Sequence, residues 1–267
     1  MKLHRVAAIV MRQLYLLRGS PARVLPLFAW VAVDVVLWGF ITRFLDRVSG
    51  AGFDFVPMLL GAVLLWDYLA RVMQGVTMAF FEDVWTRNFL NFFATPLTIA
   101  EYVSGLVATS IMTSVVGLLV MVLVARAAFG LSLLAYGPPL AGFLAVLFVF
   151  GITLGVLGTA IVLRLGPAAE WLIWPIPALL SPFAGVFYPL STLPSWMRAV
   201  SRALPPSYVF EALREIAAGR MPAPQGLLAG GGLAVAELAL AAWVFARVYR
   251  HAVRTGLLAR YSAETVS

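Results

Sequence analysis

Apolar stretches long enough to cross a bilayer alternate with short polar segments along the chain. They cover residues 24–44, 55–81, 99–125, 138–163, 171–187 and 227–248. A helix of about 20 apolar residues spans the hydrocarbon core of a membrane. The pattern therefore predicts an all-α integral membrane protein with six transmembrane helices. The segments between the spans are too short for a sizeable soluble domain, so residues 1–267 are expected to form one transmembrane domain.

The first 23 residues follow a different pattern, with five Lys or Arg residues and no acidic residue. Apolar residues recur at helical spacing on one face: Leu3, Val6, Ala7, Val10, Leu14 and Leu17. This arrangement predicts an amphipathic helix over residues 1–23 that lies in the membrane interface. A cleaved signal peptide is disfavoured, because the basic region is too long and no small-residue cleavage site follows the apolar span.

Proline recurs through residues 171–219, at positions 175, 177, 182, 189, 194, 205 and 206. Each proline lacks an N–H and disfavours helix at the residue before it. We therefore expect a membrane helix, a turn and two short helices, over residues 195–204 and 207–218. Irregular backbone at membrane depth needs protein or a water-filled cavity around it. Residues 188–219 are thus predicted to form a re-entrant cap between spans five and six; an ordinary extracytoplasmic loop is the alternative.

The interval of residues 82–96, between spans two and three, mixes polar and aromatic residues. It is too polar at its start to span a membrane, and Pro96 ends it. On the six-span topology it is a cytoplasmic amphipathic helix. The residues alone leave open whether it is a membrane-surface connector or a helix on which a partner docks.

Charged residues also occur inside the predicted spans. Asp67 and Arg71 lie four apart in span two, beside Trp66 and Tyr68, and Asp34 lies near the middle of span one. Because a lone charge in hydrocarbon is costly, such residues pair with one another or face water. The cluster is therefore either an internal ion pair that locks helices together or a polar patch on a translocation path.

Small residues recur every three or four positions in two of the spans. Span three carries Gly105, Thr109, Thr113 and Gly117, and span four carries Gly151, Gly155 and Gly158. Small residues on one stripe let helix backbones approach closely in a bilayer. We expect these stripes to pack helices rather than to bind a substrate.

The formal net charge of +7 comes from 19 Lys and Arg residues against 12 Asp and Glu residues. Six spans place both termini on one side, where 11 of the basic residues fall against 7 on the other. This bias predicts cytoplasmic termini in a cytoplasmic (inner) membrane. Contact with anionic lipids accounts for the excess charge, and the scatter of the basic residues disfavours nucleic-acid binding.

Several kinds of chemistry are disfavoured by composition. The chain has no cysteine, and its only lysine is Lys2, so it cannot supply the Gly-x4-Gly-Lys motif that cradles ATP phosphates. The histidines, His4 and His251, fall outside the spans, and no serine-hydrolase or zinc-protease motif occurs. We therefore predict no catalytic residues, no metal ligands and no cofactor in this chain.

Four short motifs follow one another in residues 185–214: Gly-x-aromatic-x-Pro, Leu-Pro-x-Trp, Pro-x-x-Tyr and Glu-x-x-Arg. They are carried by Gly185, Phe187, Pro189, Leu193, Pro194, Trp196, Pro205, Tyr208, Glu211 and Arg214. In order and spacing they resemble the signature of ABC-2 type permeases, the membrane subunits of one class of ATP-binding-cassette exporters. The six-span layout extends the resemblance over nearly the whole chain.

The resemblance implies a substrate path in this chain and a separate ATP-binding-cassette ATPase that binds ATP and Mg²⁺. It also implies a homodimer of the permease, and substrates such as lipid-linked glycans, glycolipids or drugs. A coupling helix over residues 82–96 is implied too, since Arg87, Leu90 and the Thr95-Pro96-Leu97 run match the family pattern. An ATP-independent channel or secondary transporter is the main alternative, and an intramembrane enzyme is a weaker one.

These expectations define three candidate sites. ATPase coupling is assigned to Glu82, Asp83, Trp85, Arg87, Asn88, Leu90 and Asn91. The translocation path or intramembrane ion pair is assigned to Asp34, Trp66, Asp67, Tyr68 and Arg71. The outer gate is assigned to Phe187, Tyr188, Pro189, Pro194, Trp196, Tyr208, Glu211 and Arg214.

Overall fold

The computed structural model describes residues 1–49, 56–86, 88, 91–92 and 95–257. Helix makes up 84% of the structure, and the described residues contain no strand, so the all-α prediction is confirmed. The α-helices are α1 Leu3–Arg18, α2 Pro21–Ser49, α3 Gly61–Trp85, α4 Ile99–Phe129, α5 Pro139–Leu165, α6 Ile176–Ala184, α7 Ser195–Ser201, α8 Pro205–Ala217 and α9 Pro224–Arg254. A π-helical turn, Val56–Leu60, precedes α3, and 3-10 turns occur at Leu133–Tyr136, Pro167–Leu172 and Leu190–Thr192.

Four helices of the described part of the chain are long and apolar enough to cross a membrane. They are the π-helical turn with α3 (Val56–Trp85), α4, α5 and α9. These helices correspond to the predicted spans two, three, four and six. Predicted span one lies within α2, which starts at Pro21 immediately after the break that ends α1. The total of six spans stays a prediction.

Contacts between helices give the direction of each one. Gly151 and Gly155 of α5 lie against Val72 and Val76 of α3, so α3 and α5 run in the same direction. On α4, Ser110 donates to the Val72 carbonyl at 2.9 Å, whereas the later Gly117 lies against the earlier Arg71. Helix α4 is therefore antiparallel to α3.

Helix α9 runs parallel to α5. Gly142 lies against Leu227 near the start of both helices, while Arg164 and Arg247 line one cavity near their ends. We call the end of the bundle that holds α1 and the last turns of α3, α5 and α9 the terminal end. Both described ends of the chain lie there, and the other end is called the opposite end.

The glycines of α5 confirm the packing prediction. A Cβ on Gly151 would lie 2.8 Å from the Val72 Cβ and 2.9 Å from the Leu69 carbonyl oxygen. A Cβ on Gly155 would lie 2.8 Å from the Val76 Cβ. Real side chains do not tolerate such distances, so glycine at these positions is what allows α5 to approach α3 so closely.

Predicted span five is not one helix. Because α5 and α9 are parallel, residues 166–223 must lead the chain back from the terminal end to the opposite end. They do so in short pieces, of which α6 has nine residues and is about 14 Å long, too short to cross a bilayer alone. The left-handed backbone of Gly185, with φ of 69°, ends α6.

The two short helices predicted after Gly185 are confirmed, but the break between them is shifted: α7 ends at Ser201 and α8 begins at Pro205. Pro205 and Pro206 were expected to separate them, but both residues lie in the first turn of α8. A proline at the first helical position loses no intrahelical hydrogen bond, and its fixed φ suits the helix. The break falls instead at residues 202–204.

Candidate functional site

Helix α1 is fastened to the start of α4. Glu101 of α4 accepts hydrogen bonds from the backbone N–H of Lys2 at 2.7 Å and from the Arg5 guanidinium at 3.3 Å. The same carboxylate caps α4 together with Thr98. One turn further along α1, Ile9 packs against α4 at Gly105, where the absence of a side chain leaves room for it. The amphipathic helix therefore docks on the protein as well as having an exposed face.

A second pair fastens α1 to the end of α3. Arg12 donates to Asp83 Oδ1 at 2.5 Å, and the Tyr102 hydroxyl donates to Asp83 Oδ2 at 2.7 Å. The Asp83 side chain is fully buried. The Arg12 guanidinium also lies over the Phe92 ring, 4.9 Å from its centroid. Through Arg12, α1 thus contacts α3 and the segment between α3 and α4, while Tyr102 of α4 binds the same Asp83 carboxylate.

Residues 82–96 are not one separate helix, because α3 continues to Trp85. Glu82, Asp83 and Trp85 belong to its last turn, and Asp83 points into the interior. Trp85 is 49% exposed, and Asn91 donates to the Asn88 side-chain oxygen at 3.1 Å. Two of the predicted coupling residues, Arg87 and Leu90, lie outside the described residues. Among the described coupling residues, Trp85 and Asn91 are the exposed ones.

The charges inside the bundle converge on α3. Asp34, Asp67 and Arg71 lie close enough to interact electrostatically, so Asp34 of α2, which the sequence grouped with the two α3 residues, lies near them in the fold. The Arg71 side chain also lies against Gly117 of α4. The cluster joins three helices.

Trp66 and Tyr68 are both buried beside this cluster, with exposures of 8% and 5%. The Trp66 ring contacts the Phe210 ring of α8, with 6.0 Å between centroids. This contact places α8 beside the first turns of α3, at the opposite end. The predicted path residues and the predicted cap are thus adjacent in the fold.

The Glu-x-x-Arg motif holds the turn after α6. Glu211 Oε1 accepts from the Leu190 backbone N–H at 2.9 Å and from Arg214 Nη2 at 2.8 Å. A Cβ on Gly185 would lie 3.0 Å from that same Arg214 nitrogen. The first and last motifs of residues 185–214 therefore meet in space. Glu211 and Arg214 of α8 hold the turn that begins at Gly185.

Aromatic side chains hold the rest of the segment. The Phe187 ring stacks on Trp38 of α2, with 5.1 Å between centroids, and Trp196 meets Phe183 edge to face at 6.2 Å.

The Tyr188 hydroxyl donates to the Pro182 carbonyl at 3.0 Å. Tyr208 donates to the Arg202 carbonyl at 2.9 Å. Pro189 and Pro194 occupy the extended positions before the Leu190–Thr192 turn and α7.

Sequence reasoning missed the partners rather than the sites. Arg5 and Arg12 are seven apart, on one face of α1, and each pairs with a carboxylate of another segment. The run from Thr98 to Glu101 matches a capping box and gave a local signal for that glutamate. Nothing in the sequence pointed to Tyr102 as the second donor to Asp83.

Residues 5–217 match the sequence profile of the family described as ABC-2 type transporter. The matched segment covers most of the chain, so the protein belongs to the ABC-2 type transporter family, as the motifs of residues 185–214 indicated. Members of this family are transport components. No curated protein matches the sequence closely.

Proposed function

We propose that this chain is the permease subunit of an ATP-binding-cassette exporter of the cytoplasmic membrane. It would provide the path for an amphipathic, lipid-like, glycan or drug substrate. A separate ATPase subunit would bind ATP and Mg²⁺ and would drive transport. Membership of the ABC-2 family supports the class of protein, and one structural feature supports the coupling.

That feature is the continuity of α3. Its first turns carry Asp67 and Arg71, and its last turn carries Asp83 and the exposed Trp85. The 16 residues from Asp67 to Asp83 correspond to about 24 Å of helix. A displacement at the terminal end would therefore reach the intramembrane charges through one rigid element.

The terminal end offers a contact surface for the ATPase. Arg12 and Asp83 tie α1 to the last turn of α3, which also carries Trp85. A partner that binds residues 85–96 would therefore act on α1 and α3 together. Within this proposal, Asp83 acts as a positioning residue, because its side chain is buried. Trp85 and Asn91 are the residues that would touch the partner.

The cap of residues 188–219 would close the opposite end of the path. Phe187, just before the cap, rests on α2, and Phe210 within the cap rests on α3, close to the charged cluster. A second permease copy would complete the path. The broad apolar faces of α4 and α9 are largely exposed, which suits contact with lipid and with that copy.

The test is assembly with the ATP-binding-cassette ATPase encoded nearest to the permease gene. We expect Trp85→Ala to weaken binding of the ATPase about thirtyfold, and co-purification to fall with it, because truncating a tryptophan at an interface centre costs about 2 kcal/mol. Trp196→Ala is the matched control, since it removes an exposed tryptophan at the opposite end.

Equal recovery of the ATPase with both variants would remove Trp85 from the coupling surface. Transport by the purified permease alone, in liposomes without ATP, would contradict the exporter assignment. That second result would favour an ATP-independent channel or secondary transporter.

A further inference from the structure

A cleft of about 340 Å³ lies at the terminal end, between the last turns of α5 and α9. It is lined by Arg164, Trp243, Val244, Arg247, Val248 and His251. Neither the proposed path nor the proposed coupling surface uses any of these residues. The residues that line the cleft are therefore distinct from those of the path and of the coupling surface.

The polar part of the lining is basic. Arg164 comes from α5, and Arg247 and His251 come from α9, one turn apart. None of the described side chains that line the cleft is acidic. Two guanidinium groups from neighbouring helices, with an imidazole beside them, suit an oxyanion with several acceptor oxygens, such as a phosphate.

The cleft also has an ordered apolar part. The Arg247 guanidinium lies over the Trp243 ring, 5.4 Å from its centroid, which fixes the charge beside an aromatic surface. Trp243 itself is 55% exposed, and Leu240, one turn nearer the membrane centre, is 59% exposed. A site for a free inorganic anion would not need an open apolar strip that leads away from it.

Along one face of α9 the side chains therefore change from aliphatic to aromatic to basic. Leu240, Trp243 and Arg247 follow at intervals of three and four residues, so they share a face. Acyl chain, interfacial region and headgroup follow in the same order in a phospholipid leaflet. Tryptophan and arginine at helix ends are typical of that interface, and basic pockets between transmembrane helices bind anionic headgroups.

We propose that this cleft binds one anionic phospholipid of the leaflet at the terminal end. Its phosphate would lie between Arg164 and Arg247, and its acyl chains would lie along Trp243 and Leu240. The bound lipid would join the ends of α5 and α9. The proposal does not depend on the ATPase partner or on the transported substrate.

Native mass spectrometry of the purified permease tests the proposal with two lipids of equal chain length. We expect dioleoyl phosphatidylglycerol to be retained in preference to dioleoyl phosphatidylcholine. Arg247→Gln and Arg164→Gln should each lower that retention about fivefold, the factor expected for loss of one basic residue near anionic lipid. Arg247→Lys keeps the charge and should keep most of the retention.

Arg250→Gln is the matched control. Arg250 belongs to the same turn of α9, but it does not line the cleft and donates to the Ala246 carbonyl at 3.2 Å. Equal retention of the two lipids by the unmodified chain would overturn the proposal, and so would an equal loss with Arg250→Gln. Displacement of the lipid by millimolar inorganic phosphate would make the cleft a free-anion site. Loss of lipid on assembly with the ATPase would make it a protein contact.

Discussion

Arginine–carboxylate pairs hold both ends of the helix bundle, but the buried partner differs between them. At the terminal end the carboxylate is buried: Asp83 is fully buried, while the Arg12 side chain is 24% exposed. At the opposite end the arginine is the more buried partner, with Arg214 14% exposed and Glu211 43% exposed.

The two pairs also differ in what they connect. Arg12 and Asp83 are 71 residues apart and join separate helices, whereas Glu211 and Arg214 are three apart on α8. A long-range pair with a buried anion stabilises the tertiary arrangement, because the anion cannot return to water without separating helices. A local, partly exposed pair orients a turn and contributes less to stability. We therefore expect the terminal end to be the more rigid of the two.

The largest effect is expected from Arg12→Gln. This substitution leaves the Asp83 carboxylate buried without its cation, which costs about 3 kcal/mol of unfolding free energy. Thermal or denaturant unfolding in detergent micelles would measure the loss. Arg18→Gln is the control, because Arg18 lies exposed at the end of the same helix.

A double variant sharpens this prediction. Arg12→Gln combined with Asp83→Asn removes both charges, so we expect it to be more stable than Arg12→Gln alone. Strictly additive losses would mean that the two residues do not act as a pair. The terminal end would then have no coupled buried ion pair to set it apart from the opposite end.

A smaller effect is expected from Glu211→Ala at the opposite end. It leaves the Leu190 N–H without its acceptor and removes an ion pair that is partly exposed, so we expect a loss of about 1 kcal/mol. The same unfolding experiment applies, with Glu215→Ala, one turn along α8, as the control. Glu211→Gln keeps an acceptor oxygen, so its loss of stability should lie between those of Glu211→Ala and Glu215→Ala.

A loss with Glu211→Ala as large as that with Arg12→Gln would break the comparison. It would show that the turn after α6 is as strongly held as the α1 contacts. No difference between Glu211→Ala and Glu215→Ala would show that the hydrogen bond to Leu190 contributes nothing to stability.

The smallest effect on stability is expected from single cysteines in the capping segment, since the chain has none of its own. Ser195→Cys should react with a membrane-impermeant maleimide, because Ser195 is exposed at the start of α7. Ser201→Cys and Ser207→Cys should resist it, since those side chains have exposures of 0% and 2%. A cysteine at Tyr188 should change its reactivity between the nucleotide-free and ATP-trapped complexes.

Uniform labelling at all four positions would reduce the segment to a surface loop without a closed state. Labelling of Ser195→Cys only from the cytoplasmic side would reverse the predicted topology. Either result would remove the cap from the proposed path, but it would leave the terminal-end contacts unaffected.

Local patterns account for what could be predicted. The apolar lengths predicted the long helices, and the glycine stripe of α5 predicted close packing, because each depends on residues within a few turns. Proline positions predicted the breaks in residues 171–219. More breaks occur than were predicted: Pro175 and Pro177 flank the start of α6, and that helix is too short to cross a bilayer alone.

The coupling segment shows where local patterns stop being enough. Polarity begins at Glu82, which suggested a new helix there, but α3 continues to Trp85. The helix can do so because Asp83, although charged, finds Arg12 and Tyr102 in the interior. A local stretch of sequence does not show these partners, so the sequence pattern placed Asp83 on the surface.

The sequence by itself determined the helical membrane class, the turn motifs of residues 185–214 and the family that they indicated, because these depend on short-range composition and spacing. Only the tertiary structure decided which charges meet. Arg12 reaches Asp83, Asp34 approaches Arg71, and Arg164 shares a cleft with Arg247 because helices distant in sequence pack side by side. Electrostatic interactions depend on distance in space, and that distance is set by the packing of the whole bundle.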